Sequence, residues 1–289
     1  MVAISTVVQA EEKSPTPEIQ TMMLSELNAS ALELKLPALK ELGRRYQNGI
    51  GVEKDEGMAQ AYYLSAAEKH DDAESYYRLY ELTTGPESSS YQYKAGKLGY
   101  GIAQAEIGFV LLKSDDPDVQ ASGLNWIRKA AIRDIPLGNF LLGQHYLEGT
   151  PLPDELEKGK KYMLKASEGG STNADFSLGM LHALGENGFE KDPKKTFFYM
   201  KRAARNPSLQ AAHITIGRMY LEGEGGETSM SEAMAWLRIS IEGDNEEFKK
   251  IAGRLLKLLN EKLPESIKAE ADTRYKELKS EFKKKNFLR

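Results

Sequence analysis

Residues 38–72 read ALKELGRRYQNGIGVEKDEGMAQAYYLSAAEKHDD. Helical spacing of apolar residues runs to Tyr46. Gly49 and Gly51 then stop that first helix, because glycine accepts the left-handed conformation that closes one. A second helical stretch follows, carrying YYLSAAEKH. The same plan returns along the chain. A Leu-Gly pair with an aromatic three residues after the glycine occurs as Leu42-Gly43 with Tyr46, Leu142-Gly143 with Tyr146 and, with isoleucine for leucine, Ile216-Gly217 with Tyr220. Ile107-Gly108 and Leu178-Gly179 hold the same place, with Leu111 and His182 in the aromatic slot. With Tyr76-Tyr77 and Tyr80 as a degenerate copy, successive units start 34, 31, 35, 36 and 38 residues apart. The second halves recur as WIRKAAIRD, YMLKASEGG, YMKRAARNP and WLRISIEGD. A two-helix unit with a period in the mid-thirties predicts stacked helical hairpins, six of them here.

Glycine inside a helix costs about 0.5–1 kcal/mol relative to alanine, so its return at one helical position needs a packing reason. Close approach of a neighbouring helix supplies it. The alanine pairs Ala66-Ala67, Ala130-Ala131 and Ala203-Ala204 keep the crossing thin, while Tyr46, Trp126 and Trp236 add apolar area beside it. One hairpin leaves apolar faces on both sides, so stability requires neighbours and capped ends.

Composition narrows the class further. The chain has 289 residues, 40% hydrophobic and 28% charged, enough for a sizeable core. A net charge of −4 and a pI near 5.8 argue against nucleic acid as a partner. The absence of cysteine removes thiol nucleophiles, disulfides and thiolate metal sites. No apolar run reaches the length of a membrane-spanning helix.

LGRRYQNGIGVEKD followed by YYLSAA resembles the Sel-1-like repeat family, a relative of the tetratricopeptide repeats, over about residues 36–245. The resemblance implies an all-α superhelical solenoid of about six helix-turn-helix repeats, a concave surface that binds proteins, and no catalytic activity. Three departures stand out. The second unit lacks the Leu-Gly pair, the third turns through Lys113-Ser114-Asp115-Asp116-Pro117, and the fourth has Gly149-Thr150-Pro151-Leu152. The family's secreted branch with cysteine-pair staples is excluded.

Four segments follow. Residues 1–10, ending Val8-Gln9-Ala10 before Glu11-Glu12, read as a signal-peptide remnant, with a frayed start as the alternative. Residues 11–35 form a spacer and first helix, residues 36–245 the repeats, and residues 246–289 capping helices, the last restarted by Pro264. The final stretch gathers Lys276, Lys279, Lys283, Lys284, Lys285 and Arg289, read as a solvated basic tail.

The chain has no Gly-x-Ser-x-Gly, no phosphate loop ending in Gly-Lys-Ser/Thr and no His-Glu-x-x-His. His182 reads as a substitute for tyrosine, and His145 with Glu148 is too small a set for a metal site, so no metal, cofactor or catalytic residue is assigned. Phe197, Phe198 and Tyr199 point in different directions on one helix, which sends at least one into the core. Binding residues are sought where side chains leave the repeat plan. Tyr76, Tyr77, Tyr80, Tyr91 and Tyr93 crowd the degenerate second unit, where they serve contact or fill the space of the lost glycine. Arg44, Arg45, Arg78, Arg218, Gln144 and Asp175 lie between packing positions and are expected on the concave wall. The expectation is a noncatalytic module of the bacterial periplasm, with the cytoplasm as alternative, that binds a protein partner. Immunity against a secreted effector such as a lipase, or regulation of an envelope sensor, are finer versions. A carboxylate-dependent hydrolase is the rival, marked by two converging acids of separated pKa.

Overall fold

The computed structural model describes residue 19 and residues 22–148, 153–226 and 228–287. The signal-like segment 1–10, the Gly149–Leu152 turn, Glu227 and Arg289 lie outside the described residues. Among the described residues there are fifteen helices and no strand. The described residues form two compact units, divided between Leu142 and Gly143.

In the first unit, α1 (Leu24–Leu32) precedes three hairpins: α2 (Leu36–Asn48) with α3 (Glu56–His70), α4 (Ala73–Leu82) with α5 (Pro86–Lys97), and α6 (Gly101–Leu111) with α7 (Pro117–Ile132). Helix α8 (Pro136–Leu147) spans the division between the units. In the second unit follow α9 (Pro153–Glu168), the hairpins α10 (Thr172–Leu184) with α11 (Pro193–Ala203) and α12 (Gln210–Glu222) with α13 (Met230–Ile241), and then α14 (Glu246–Lys262) and α15 (Glu265–Phe287).

The five repeat glycines share one job. A Cβ on Gly43 would meet the Tyr63 ring at 2.8 Å, on Gly108 Ile127 Cγ1 at 2.6 Å, on Gly143 the Met163 backbone nitrogen at 2.9 Å, on Gly179 Met200 Cε at 2.8 Å and on Gly217 Leu237 Cγ at 3.1 Å. In each case the obstructing residue belongs to the second helix of the same hairpin. The tyrosines beside them pair as expected: Tyr46 stacks on Tyr62 and Tyr146 on Tyr162, with centroids 5.7 and 6.0 Å apart. His182 stacks on Tyr199 at 5.9 Å and 4°, occupying the tyrosine slot. Gly49, at φ 68°, is the left-handed cap of α2.

A second register position explains how hairpins are tied to one another. Four residues before the repeat glycine stand Gln104, Asn139, Asp175 and His213, and all four are buried. Gln104 Nε2 donates to the Gly96 carbonyl at 3.0 Å, and His213 Nε2 lies 3.0 Å from the Ala204 carbonyl. Asp175 accepts from Ser167 Oγ at 2.6 Å and Arg202 Nε at 3.1 Å. Thus Gln104, Asp175 and His213 each reach from a first helix to the end of the helix before it, and the bond made there offsets part of the cost of burial. Gln104 Oε1 and Asn139 Oδ1 are buried without a hydrogen-bond partner among the described residues.

The C-terminal helix is less free than its lysines suggest. Leu278 and Ala271 are fully buried, and Phe282 packs against the Trp236 and His213 rings. Arg274 Nε donates to Glu232 at 2.7 Å, and Lys279 and the Tyr275 hydroxyl both engage Glu242. Lys279 thus pairs with Glu242 while its side chain keeps 41% exposure, and its helix covers the apolar side of α13. Lys276 and Lys283 are exposed.

Candidate binding surfaces

In the second unit an open cavity of about 300 Å³ lies between α8 and α10. Its floor is apolar: Leu147 and Met163 are buried there, beside Phe176 and Leu181. Exposed Gln144 and Met180 stand at its sides with Ser177, and Glu148 is the one carboxylate among its described lining residues. Asn187 closes one end, its Nδ2 donating to the Leu147 carbonyl at 3.1 Å. The cavity follows from the repeat plan. Gly143 draws α9 close enough to bring Met163 beneath α8, and the residues next to each glycine, Gln144 and Met180, are left facing outward.

That next-to-glycine position gathers many of the residues expected to bind. Arg44, Arg78, Gln144 and Arg218 all occupy it, and so do Phe109 and Met180, which the sequence reading passed over. The signal was available in the alignment of the units: one residue beyond the glycine the side chain leaves the hairpin seam. The Arg218 side chain is 58% exposed and pairs with Glu222 at 3.4 Å. Arg78 is held by Glu81 at 2.8 Å. Arg44 is bidentate to Glu41 at 2.8 and 2.9 Å.

Other expected residues serve packing. Arg45 is buried, its Nε donating to Glu41 Oε1 at 2.8 Å and its Nη2 to the Met22 carbonyl at 3.0 Å. Burial raises the Glu41 carboxyl, but hydrogen bonds from Arg44 and Arg45 outweigh it and hold the group below the ordinary glutamate range. Asp175 lies within the seam described above, where burial pushes its carboxyl up against the pull of Ser167 and Arg202. These two side chains face the interior, which differs from the groove-wall expectation; both hold a neighbouring segment in place.

The tyrosine set divides. Tyr77 takes the place of the repeat glycine and is 2% exposed, its ring 4.7 Å from Tyr100 and 5.5 Å from Tyr80. Its hydroxyl donates to Glu106 Oε1 at 2.9 Å, while Gln92 Nε2 donates to Oε2 at 2.8 Å. Burial raises the Glu106 carboxyl above its usual value despite those bonds. Tyr76 is buried and stacks on the half-buried Tyr91, whereas Tyr93 is 51% exposed. Of the aromatic run on α11, Phe197 is in the core, Tyr199 stacks on His182, and Phe198 is exposed. Among the described residues no group of three or more His, Asp or Glu side chains is placed to hold a metal ion.

Helical hairpins seamed by glycine, joined by buried polar ties and presenting open side chains beside each seam define a helical repeat protein. The family model described as Sel1 repeat matches residues 36–71, 136–171, 172–208 and 211–245, and the chain belongs to the Sel1 repeat family. Such repeats are in general protein-interaction scaffolds. The two hairpins α4–α5 and α6–α7 fall between the matched repeats, where the sequence departs from the pattern. The chain is similar to the alginate biosynthesis protein AlgK of Azotobacter vinelandii, 28% identical over 106 residues, which are 37% of this chain and 22% of that protein. It thus spans less than a quarter of that relative. Its fold is similar to a Sel1 repeat protein from Oxalobacter formigenes, with TM-score 0.65 and 20% identity over 81% of this chain and 68% of the other. It is also similar to c5321, a protective antigen of uropathogenic Escherichia coli with an SLR fold. There the TM-score is 0.50 at 20% identity, over 89% of this chain and 64% of the other.

Proposed function

We propose that this chain is a noncatalytic module that seats a segment of a protein partner in the cavity between α8 and α10. The observation that carries the reading is the apolar floor of Leu147 and Met163 flanked by exposed Gln144 and Met180. An apolar anchor seated on such a floor sheds water from the side it buries, and a thioether adapts to its shape. Gln144 offers both a donor and an acceptor to the backbone of the bound segment. General acid–base chemistry needs two positioned groups, and the described wall supplies one carboxylate, Glu148.

An envelope location is the finer part of the proposal, and its support is the small-x-small ending at Val8-Gln9-Ala10. A secreted enzyme recovered in equal stoichiometry gives this binding an immunity role, and a membrane sensor gives it a regulatory one. The test is co-purification from the native source with wild type, Met180→Glu and Phe198→Glu, the last an exposed control on α11. The reading expects a stoichiometric protein lost only with Met180→Glu. Equal recovery with all three overturns it.

A further inference from the structure

In the first unit a different surface carries cations laid over aromatic rings. On α5, Lys94 Nζ sits 5.2 Å from the centroid of Tyr76 and Lys97 Nζ 5.8 Å from that of Tyr93. Tyr93 meets Trp126 of α7 edge-on at 6.0 Å, and Lys129 Nζ lies 4.8 Å over the Trp126 ring. The stripe continues at Arg133, the residue that caps the C-terminus of α7, four positions beyond Lys129.

Two glycines make the surface continuous. A Cβ on Gly96 would meet Ile107 Cδ1 of α6 at 2.8 Å and Trp126 Cζ3 at 3.3 Å, so its absence lets both α6 and the indole lie against α5. Gly99, at φ 97°, leaves room for the Arg133 guanidinium, which a Cβ there would meet at 2.7 Å. Tyr93 is 51% exposed and Leu98 44% exposed beside them.

Lys94, Lys97, Lys129 and Arg133 take part in no ion pair among the described residues. Elsewhere Lys40, Lys160, Lys249, Lys268 and Lys279 each reach a carboxylate. Four unneutralised cations thus share one surface of a protein whose net charge is −4. Lysines over ring faces are held in place, which lowers the ordering cost of meeting fixed carboxylates. The aromatic and aliphatic area between them suits apolar side chains.

We infer that the surface formed by Tyr93, Lys94, Lys97, Leu98, Trp126, Lys129 and Arg133 docks an acidic protein segment with interspersed apolar residues. Charge complementarity selects the acid, and the exposed Tyr93 and Leu98 select the apolar spacing. A narrow segment touches this surface alone, whereas an anionic bilayer also meets Glu68 and Asp71, which lie close enough to act on the Tyr76 ring beneath Lys94 and within a Debye length of about 10 Å. The inference concerns a surface separate from the α8–α10 cavity and survives or fails independently of it.

The experiment uses the full chain and a fluorescein-labelled peptide of repeated Glu-Glu-Leu units, followed by fluorescence anisotropy. Binding is expected to saturate and to weaken with added salt. The combined substitution Lys94→Glu, Lys97→Glu and Lys129→Glu weakens it by about tenfold or more. The control Lys35→Glu, Lys54→Glu and Lys69→Glu, on exposed lysines of the same unit, leaves it within about twofold. Trp126→Ala lowers affinity further while circular dichroism remains that of the parent. No binding of the peptide overturns the inference, and so does an equal loss in both triple variants, which marks diffuse electrostatics. Flotation with phosphatidylglycerol vesicles but no peptide binding reassigns the surface to a membrane and also overturns it. A fall in melting temperature without any peptide binding leaves these lysines as complements to their helix C-termini and counts against the inference as well.

Discussion

Replacing Gly108 by alanine tests the hairpin seam where it is tightest. The added methyl would lie 2.6 Å from Ile127 Cγ1, 2.7 Å from the Gly123 carbonyl oxygen and 3.0 Å from the Ile127 nitrogen. Ordinary carbon contacts sit at about 3.5–4.0 Å. Two of the three obstacles are backbone atoms, so no rotamer change relieves them and α6 must move away from α7. Overpacking of this kind costs about 1–3 kcal/mol. Alanine returns about 0.5–1 kcal/mol through its better helix propensity. The net expectation is a loss of about 1–2 kcal/mol, or roughly 2–8 °C in melting temperature at 2–4 °C per kcal/mol. Gly253, inside α14, supplies the internal control, because a Cβ there meets nothing within 4 Å. Gly253→Ala is expected to stabilise by about 0.5–1 kcal/mol. Calorimetry of both variants, with hydrogen exchange resolving α6 and α7, reads the effect. A Gly108→Ala protein as stable as the Gly253→Ala protein would refute the reasoning.

Further outcomes follow from the same packing. His182→Tyr is expected to stay within about 1 kcal/mol of the parent in urea unfolding, since tyrosine fills this slot opposite Tyr62 and Tyr162, whereas His182→Ala costs about 2 kcal/mol or more. His213 is fully buried, and burial outweighs its bonds to the Ala204 and Asn206 backbone, pushing its pKa down to about 4. The unfolded chain therefore takes up a proton that the folded one refuses, so stability is full above about pH 6.5 and is lost as pH falls toward 4. The difference in urea midpoint between the parent and His213→Gln is expected to change by the equivalent of about 3 kcal/mol across that window; no change refutes the assignment. Glu41 acts in the same direction lower down. Its depressed pKa stabilises the fold above the unfolded value near 4.5 and stops doing so in stronger acid, a dependence that Glu41→Gln should remove from acid titrations followed by circular dichroism.

Much of this architecture was legible because each repeat constrains its neighbours. The glycine at Gly43, Gly108, Gly143, Gly179 and Gly217 announced a close helix pair, and the structure supplies the opposing residue each time. His182 was readable as a tyrosine equivalent from its slot alone. Asp175 was not, because an isolated carboxylate on a helix reads as solvent-facing; only the row Gln104, Asn139, Asp175 and His213 shows that this register turns inward to the preceding helix. Arg45 escaped for a related reason, since its buried partner Glu41 and the Met22 carbonyl come from a turn away and from a segment before α1. Met180 was missed because methionine reads as core, yet it stands one residue past the glycine, where Gln144 also opens outward. The Lys279–Glu242 pair, across 37 residues of sequence, had no local signal.

The chain contains no cysteine, so a single Met180→Cys substitution accepts a thiol-reactive benzophenone at the cavity and nowhere else. Illumination in the native extract is predicted to give one discrete adduct of protein size, absent when the same label is carried by Phe198→Cys. No adduct from Met180→Cys, or the same adducts from both positions, would contradict the claim that this cavity is where a partner protein is held.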